Sequence, residues 1–305
     1  MCKKLDVMSN VCDCENELIM LCLQSLSPVQ HQIYSATAHA TDNVHATCLY
    51  TYLMQHLRTV TKHILKRVED ITGKSIQFMR DEKLPLLATL QMARNGADFH
   101  VLRYRPSNEP LDYFVAFQAG FALRLFENEP SKRFDFSPEP DAARKIEPLL
   151  KAGQSLSKAD DDALPGFGVH VAQWALMNLR SLPVGMRIDQ WIATEYPELK
   201  ELQASAIAVQ QQQSMDVMAY KLGRLTVPTT LLGTLAAYAL FADRLTGTSA
   251  YAIPFAATGI LGHGQELLRI WDDLPHGPMN DCELIDKWAQ GSGLSGWYKW
   301  IPYKP

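Results

Sequence analysis

Apolar side chains recur at helical spacing from Val60 through Ile64 and Val68 to Ile71, and Gly73 follows where a helix would stop. Next, "SIQFM" at 75–79 reads as a short strand, closed by a charged turn at 80–83. The runs "LLATLQMAR" and "DFHVLRYR" flank Asn95-Gly96, and that pair suits a hairpin because both central residues of a type I′ turn need positive φ. Ser107 and Asn108 offer N-caps, and Pro110 a first-turn residue, for a helix over "DYFVAFQAGFALRLF" at 112–126. Beyond Phe126 the chain turns polar, in "ENEPSKRFDFSPEPDAARK", and its prolines and charges mark a surface connection with a short helix over 141–150.

A second polar stretch, "AGQSLSKADDDALPGFG", leads into a mostly helical remainder. Helices are expected at about 168–181, 187–195, 197–222, 228–245, 258–274 and 281–290, with glutamines 210–213 on a solvated face. The order predicts an α+β fold: a small antiparallel sheet with a central buried helix, then a mostly helical C-terminal half. Three segments are expected: a loosely attached 1–53, an α+β domain over 54–150 and a helical domain over 151–305. No internal repeat is apparent, and Met8, Met20 and Met54 are alternative starts.

On a helical wheel of residues 112–126, Phe114, Phe117 and Phe121 share one face, with Tyr113 and Arg124 beside them. Leu123, Val115, Ala122 and Phe126 cover much of the rest, so the helix belongs inside the fold. The run from Asn95-Gly96 through "FHVLRYR" to "DYFVAFQAGFALRLF" resembles the core of IrrE/ImmA-type zinc metallopeptidases, in which a hairpin leads into a helix reading roughly A-H-E-L-G-H. The likeness spans about 60 residues, from Val60 to Phe126, and is motif-like only over Ala116–Phe121. It implies a zincin-like fold without its chemistry. Phe117 and Phe121 stand where histidines would bind metal, and Gln118 stands where a glutamate would take a proton.

The chain has 305 residues, 47% hydrophobic and 20% charged, with net charge −4, which gives no bulk attraction to nucleic acid or to acidic membranes. Two uncharged stretches, 225–242 and 245–262, are separated only by Asp243-Arg244 and are rich in small residues, so they read as core helices and not as membrane spans. Five of the six cysteines precede residue 49 (Cys2, Cys12, Cys14, Cys22, Cys48), at spacings that fit no common zinc module. They read as reduced thiols of a cytoplasmic protein, and no signal peptide is visible.

Other chemistry-bearing residues are scattered. His263, Glu266 and Asp273 in "GILGHGQELLRIWDDLP" form the candidate site of an alternative, hydrolase reading, set against an amphipathic helix with local ion pairs. Arg187 is a candidate for substrate or partner binding, Asp189 a local cap or pair, and His170 a core histidine beside Trp174. The tail "GWYKWIPYKP" offers Trp297 and Trp300 as a recognition surface or as a clip to the domain body. No phosphate-binding glycine loop or nucleophile elbow occurs. The sequence therefore points to a pseudoenzyme, binding or regulatory towards a protein or peptide partner, with no metal and no cofactor. A structural oligomer packed through 228–262 is the third reading.

Overall fold

The computed structural model describes residues 56–84, 87–106, 111–152 and 157–305. The segment expected to be loosely attached, with its cysteines and histidines, lies outside the described residues. Helix α1 (Thr59–Thr72) buries Ile64, Leu65 and Val68, and Gly73 ends it at φ 67° by donating its N–H to Glu69 O at 2.8 Å. Strands β1 (Ser75–Arg80), β2 (Ala88–Gln91) and β3 (Phe99–Tyr104) form one sheet in the order β1-β3-β2. β2 pairs antiparallel with β3, but β1 pairs parallel with it, so the sheet is mixed. Asn95 and Gly96 make the expected turn at φ 53° and 81°, closed by Ala97 N–H to Arg94 O at 3.1 Å.

Helix α2 (Asp112–Phe126) follows and buries Tyr113, Val115, Ala116, Ala119, Ala122, Leu123 and Phe126. The phenylalanine ridge is only partly buried; the small and aliphatic positions are the ones sealed inside. One reason is close helix approach. A Cβ on Gly120 would stand 2.5 Å from Ile188 Cγ2, so that position must stay small for α2 to meet the next long helix. After β4 (Phe134–Pro138) come two short helices, α3 (Ala142–Lys145) and α4 (Glu147–Lys151), where a single one is expected.

The C-terminal half is mostly helical, as the α+β reading requires. Helix α5 (Lys158–Glu195) starts in a capping box between Ser157 and Asp160 and runs without a break through Pro183, where the sequence suggests two helices. Proline removes one N–H bond. Here the flanking residues Leu182, Val184, Met186 and Ile188 are all buried, and Trp271 Nε1–H donates to Pro183 O at 3.0 Å. Tertiary packing thus holds the helix across the proline. Then follow α6 (Lys200–Ala219), the ribbon β5 (Lys221–Leu222) and β6 (Leu225–Thr226), α7 (Thr229–Thr246), α8 (Ile253–Ala257), α9 (Leu261–Asp273), α10 (Asp281–Gly291) and β7 (Tyr298–Pro302).

Of the two uncharged stretches, the first forms α7, buried inside the chain from Leu231 to Ala239 and against α9. The second, 245–262, is not the expected core helix: it holds the short α8, and most of its residues between Gly247 and Gly259 are exposed. A Cβ on Gly264 would come within 2.8 Å of the Ala237 backbone nitrogen, which shows how closely the two helices cross. No described helix is long and apolar enough to cross a membrane. β7 pairs antiparallel with β4, setting Trp300 opposite Phe136, and the Tyr303 hydroxyl donates to Ala93 O. Asn95 and Gly96 N–H groups reach the carbonyls of Lys304 and Pro305 at 3.2 and 3.1 Å, so the aromatic tail does clip to the body, through the hairpin turn. One buried apolar cluster runs from Leu57 to Trp297.

His100 is wholly buried on the inner face of β3, with Leu102 and Tyr104. Its Nδ1 accepts from Ala93 N–H at 2.9 Å, which leaves Nε2–H to donate to Thr72 Oγ1 at 2.9 Å. Burial, helped by the Lys74 charge, pushes its pKa down to about 4. The unfolded chain therefore takes up this proton first. The contribution of His100 to stability is whole above the ordinary histidine value near 6.5 and is lost as pH falls towards 4. Replacing His100→Gln should remove that dependence. The wild-type minus variant unfolding free energy, from urea melts, is expected to fall by about 3 kcal/mol between pH 7 and pH 4. A pH-independent difference would contradict a neutral buried His100.

Candidate functional site

A cleft of about 110 Å³ opens where α2, β4, α5, α10 and β7 meet. Each element contributes residues set by its own period. Helix α2 turns Phe121, Arg124 and Leu125 towards it; α5 presents Arg180 and Val184, one turn apart; α10 presents Asp281, Cys282 and Ile285. β4 adds Phe134, Asp135 and Phe136, and β7 adds Trp300. Met279, at the rim, is 64% exposed. The walls are therefore aromatic and aliphatic, with charge at a few points.

The charges are unevenly matched. Asp135 is held by both terminal nitrogens of Arg94. Asp281 accepts from Arg124 Nε and Nη2, both at 2.7 Å, and again from Arg187 Nη1 at 2.8 Å. Arg124 also donates to His276 O at 2.8 Å. Arg187 has no exposed side-chain surface, and its Nε and Nη2 meet no acceptor among the described residues. Burial pushes its pKa down, against the pull of Asp281. Arg180, partly buried, makes no hydrogen bond and no ion pair with any described residue. Burial lowers its pKa too, the Asp135 charge opposing this and the Arg94 charge adding to it.

The cleft also holds one thiol, that of Cys282. Burial and the neighbouring Asp281 and Asp286 charges push the Cys282 thiol up to about 12, so it stays protonated at neutral pH and is a poor nucleophile. Among the described residues, no group of three or more His, Cys, Asp or Glu side chains is placed to hold a metal ion. The arrangement sets a guanidinium fork beside ring and methionine surfaces.

The residues singled out in the sequence fall in different places. Phe117 and Phe121 meet edge-on, ring centres 5.4 Å apart, and Phe117 lies over Gly185 of α5 while Phe121 lines the cleft. Gln118 Oε1 accepts from Leu90 N–H at 3.5 Å, a long bond that ties α2 to the edge strand β2. Trp300 lines the cleft and its Nε1–H donates to Asp286 at 2.9 Å, whereas Trp297 is buried, 5% exposed. Arg187 sits behind the cleft wall in the Asp281 pair. His263 packs its ring over Gly233, and its Nε2 is buried without a partner among the described residues. Glu266 is exposed, and Asp273 pairs with Arg269 at 3.2 Å, so no hydrogen bond joins the three into a set. His170 is half-buried, short of the core place expected for it, although Trp174 is buried. Asp189 is buried and accepts from Tyr113 OH at 2.7 Å and Gln203 Nε2 at 2.9 Å; burial raises its pKa to about 6.

Arg124, Arg180 and Asp281 carry the cleft, and sequence reasoning passed over them as site residues. Arg180 did leave a signal: it is the one Asp, Glu, Lys or Arg between Ala163 and Met186. A lone charge in so long an uncharged helical run needs a partner or a purpose. Comparison with protein-family models, with curated proteins and with solved structures gives no match.

The Asp281 pairing is the part of this site that stability should report. Its partners are 14% and 0% exposed, so removing the carboxylate strands buried charge. Asp281→Ala should lower unfolding free energy by about 3–5 kcal/mol, while breaking the exposed Arg269–Asp273 pair should change it by less than about 1 kcal/mol. Equal effects of the two in denaturant melts would contradict the pairing.

Proposed function

We propose that this chain is a non-catalytic binding protein, zincin-like in its first half, whose cleft receives a peptide segment of a protein partner. The observation that carries this reading is the composition of the cleft: Arg180 is unpaired among the described residues and lines it together with Phe121, Phe136, Trp300 and a protonated Cys282. Aromatic side chains and arginine are the residue types that dominate binding energy at recognition surfaces. The zincin-like ancestry is supported by the order of hairpin and buried helix, and by Phe117, Gln118 and Phe121 in the motif frame. Each of those three now serves packing or sheet contact. A regulatory role fits a chain that has kept a cleft without a reactive group.

A displayed-peptide selection on the immobilised full chain tests this. Enriched peptides should share an apolar side chain next to an acidic one, and Trp300→Ala should weaken them by at least about tenfold, which is ~1.4 kcal/mol. The variant's melting curve checks that it folds. No enrichment, or enrichment indifferent to Trp300→Ala, would overturn the peptide reading. So would close to one equivalent of zinc in protein purified without chelators, because the reading leaves no metal site.

A further inference from the structure

We infer that the cleft is a receptor for an oxyanion, a carboxylate or a phosphate, borne on an apolar group, with Arg180 as its direct contact. This rests on the cleft named above but not on the occupant being a peptide. Four guanidiniums (Arg94, Arg124, Arg180, Arg187) surround two partly enclosed carboxylates, Asp135 and Asp281. A third carboxylate, Asp286, is exposed beyond Trp300, where water screens it. Asp135 is engaged by both terminal nitrogens of Arg94, and both oxygens of Asp281 are already taken by Arg124 and Arg187. The surplus positive charge therefore rests on Arg180, which opens to the cleft, and on Arg187, closed in behind it.

Such an arrangement is unfavourable by itself. Arg180 is partly buried, so its guanidinium gives up part of its hydration with no protein acceptor in return, and replacing such a charge by an apolar group of similar size is often stabilising. Lys132, a third cation on the cleft, reaches Glu129 at 3.6 Å, so Arg180 is the cleft cation with no ion pair among the described residues, the Asp135 charge reaching it only from beyond pairing distance. A planar fork of N–H donors matches two oxygens of a carboxylate or phosphate. The walls within the same cleft fix the rest of the ligand. Phe121, Phe136, Trp300 and Met279 offer ring and thioether surface, which a bare inorganic anion would leave unused. Nothing in the cleft would change the ligand covalently, so it is bound and released.

The full chain is titrated with phenyl phosphate and with phenylacetate, followed by calorimetry and by melting temperature, at ionic strength held constant with chloride. Inorganic phosphate and acetate serve as probes lacking the ring. At least one ring-bearing anion should bind saturably and raise the melting temperature, and its ringless counterpart should bind at least about tenfold more weakly. Arg180→Met should lose the response and, without ligand, melt at a higher temperature than wild type. Arg180→Lys should keep part of the binding, and the exposed Arg269→Met should change neither property. The two ring-bearing probes tell phosphate from carboxylate.

Arg180→Met melting lower than wild type without ligand would mark a structural arginine and overturn the inference. So would an unchanged anion response in that variant, or no saturable response to either ring-bearing probe. Saturable anion binding with a failed peptide selection would leave this inference standing and remove only the peptide occupant. Selected peptides that bind Arg180→Met as well as wild type would do the reverse.

Discussion

Asp281 takes hydrogen bonds from two guanidiniums on two different helices, and the meeting of α2, α5 and α10 depends on that one carboxylate. Arg187 cannot reach water, so its charge must be met inside the protein or not at all. Arg124 binds the same group and carries the pairing on to the backbone of His276. With three elements fixed at this point, the side chains one turn away are fixed as well. Phe121 and Leu125 lie around Arg124, and Ile285 one turn after Asp281, so the pairing also positions the cleft walls.

Close helix contacts hold the rest of the frame. At Gly120 and Gly185 the absence of a side chain lets α2 and α5 approach, and Ile188 and Phe117 fill the places where a Cβ would stand. The same device brings α7 and α9 together at Gly264. These contacts pack α2 closely between the sheet and α5. They also explain why the phenylalanine ridge is not the deepest part of the helix: small residues form the buried seam, and the rings spread to its sides. A helix placed this way suits a binding wall, since its side chains are held by packing before any ligand arrives.

Much of this fold was legible because it is written in local rules. The 3.6-residue period of Val60 to Val68 with Gly73 after it, the Asn95-Gly96 turn, and the apolar run of α2 all depend on neighbours in sequence. The α+β order and the helical C-terminal half follow from these. The parallel pairing of β1 was not legible, because partner choice in a sheet is a tertiary matter. Nor was the continuity of α5 through Pro183, where packing outweighs a local breaker. Hardest to foresee was the cleft. Arg124 and Asp281 are 157 residues apart, and no periodicity links them. Phe121 and Trp300 were each visible as candidates, but only the fold sets them in one cleft. Arg180 alone carried a warning in the sequence, as a single charge in an uncharged helical run.

The most direct measurement is the ¹H–¹⁵N resonance of the Arg180 Nε–H group, assigned by substitution in the full chain, while phenyl phosphate is added at constant ionic strength. An uncompensated guanidinium that receives the anion should show a saturable shift and slower exchange with water, larger than at the exposed Arg269. Arg180 left unmoved across the titration, or shifting no more than Arg269, would contradict the claim that this cleft is built to hold an anion.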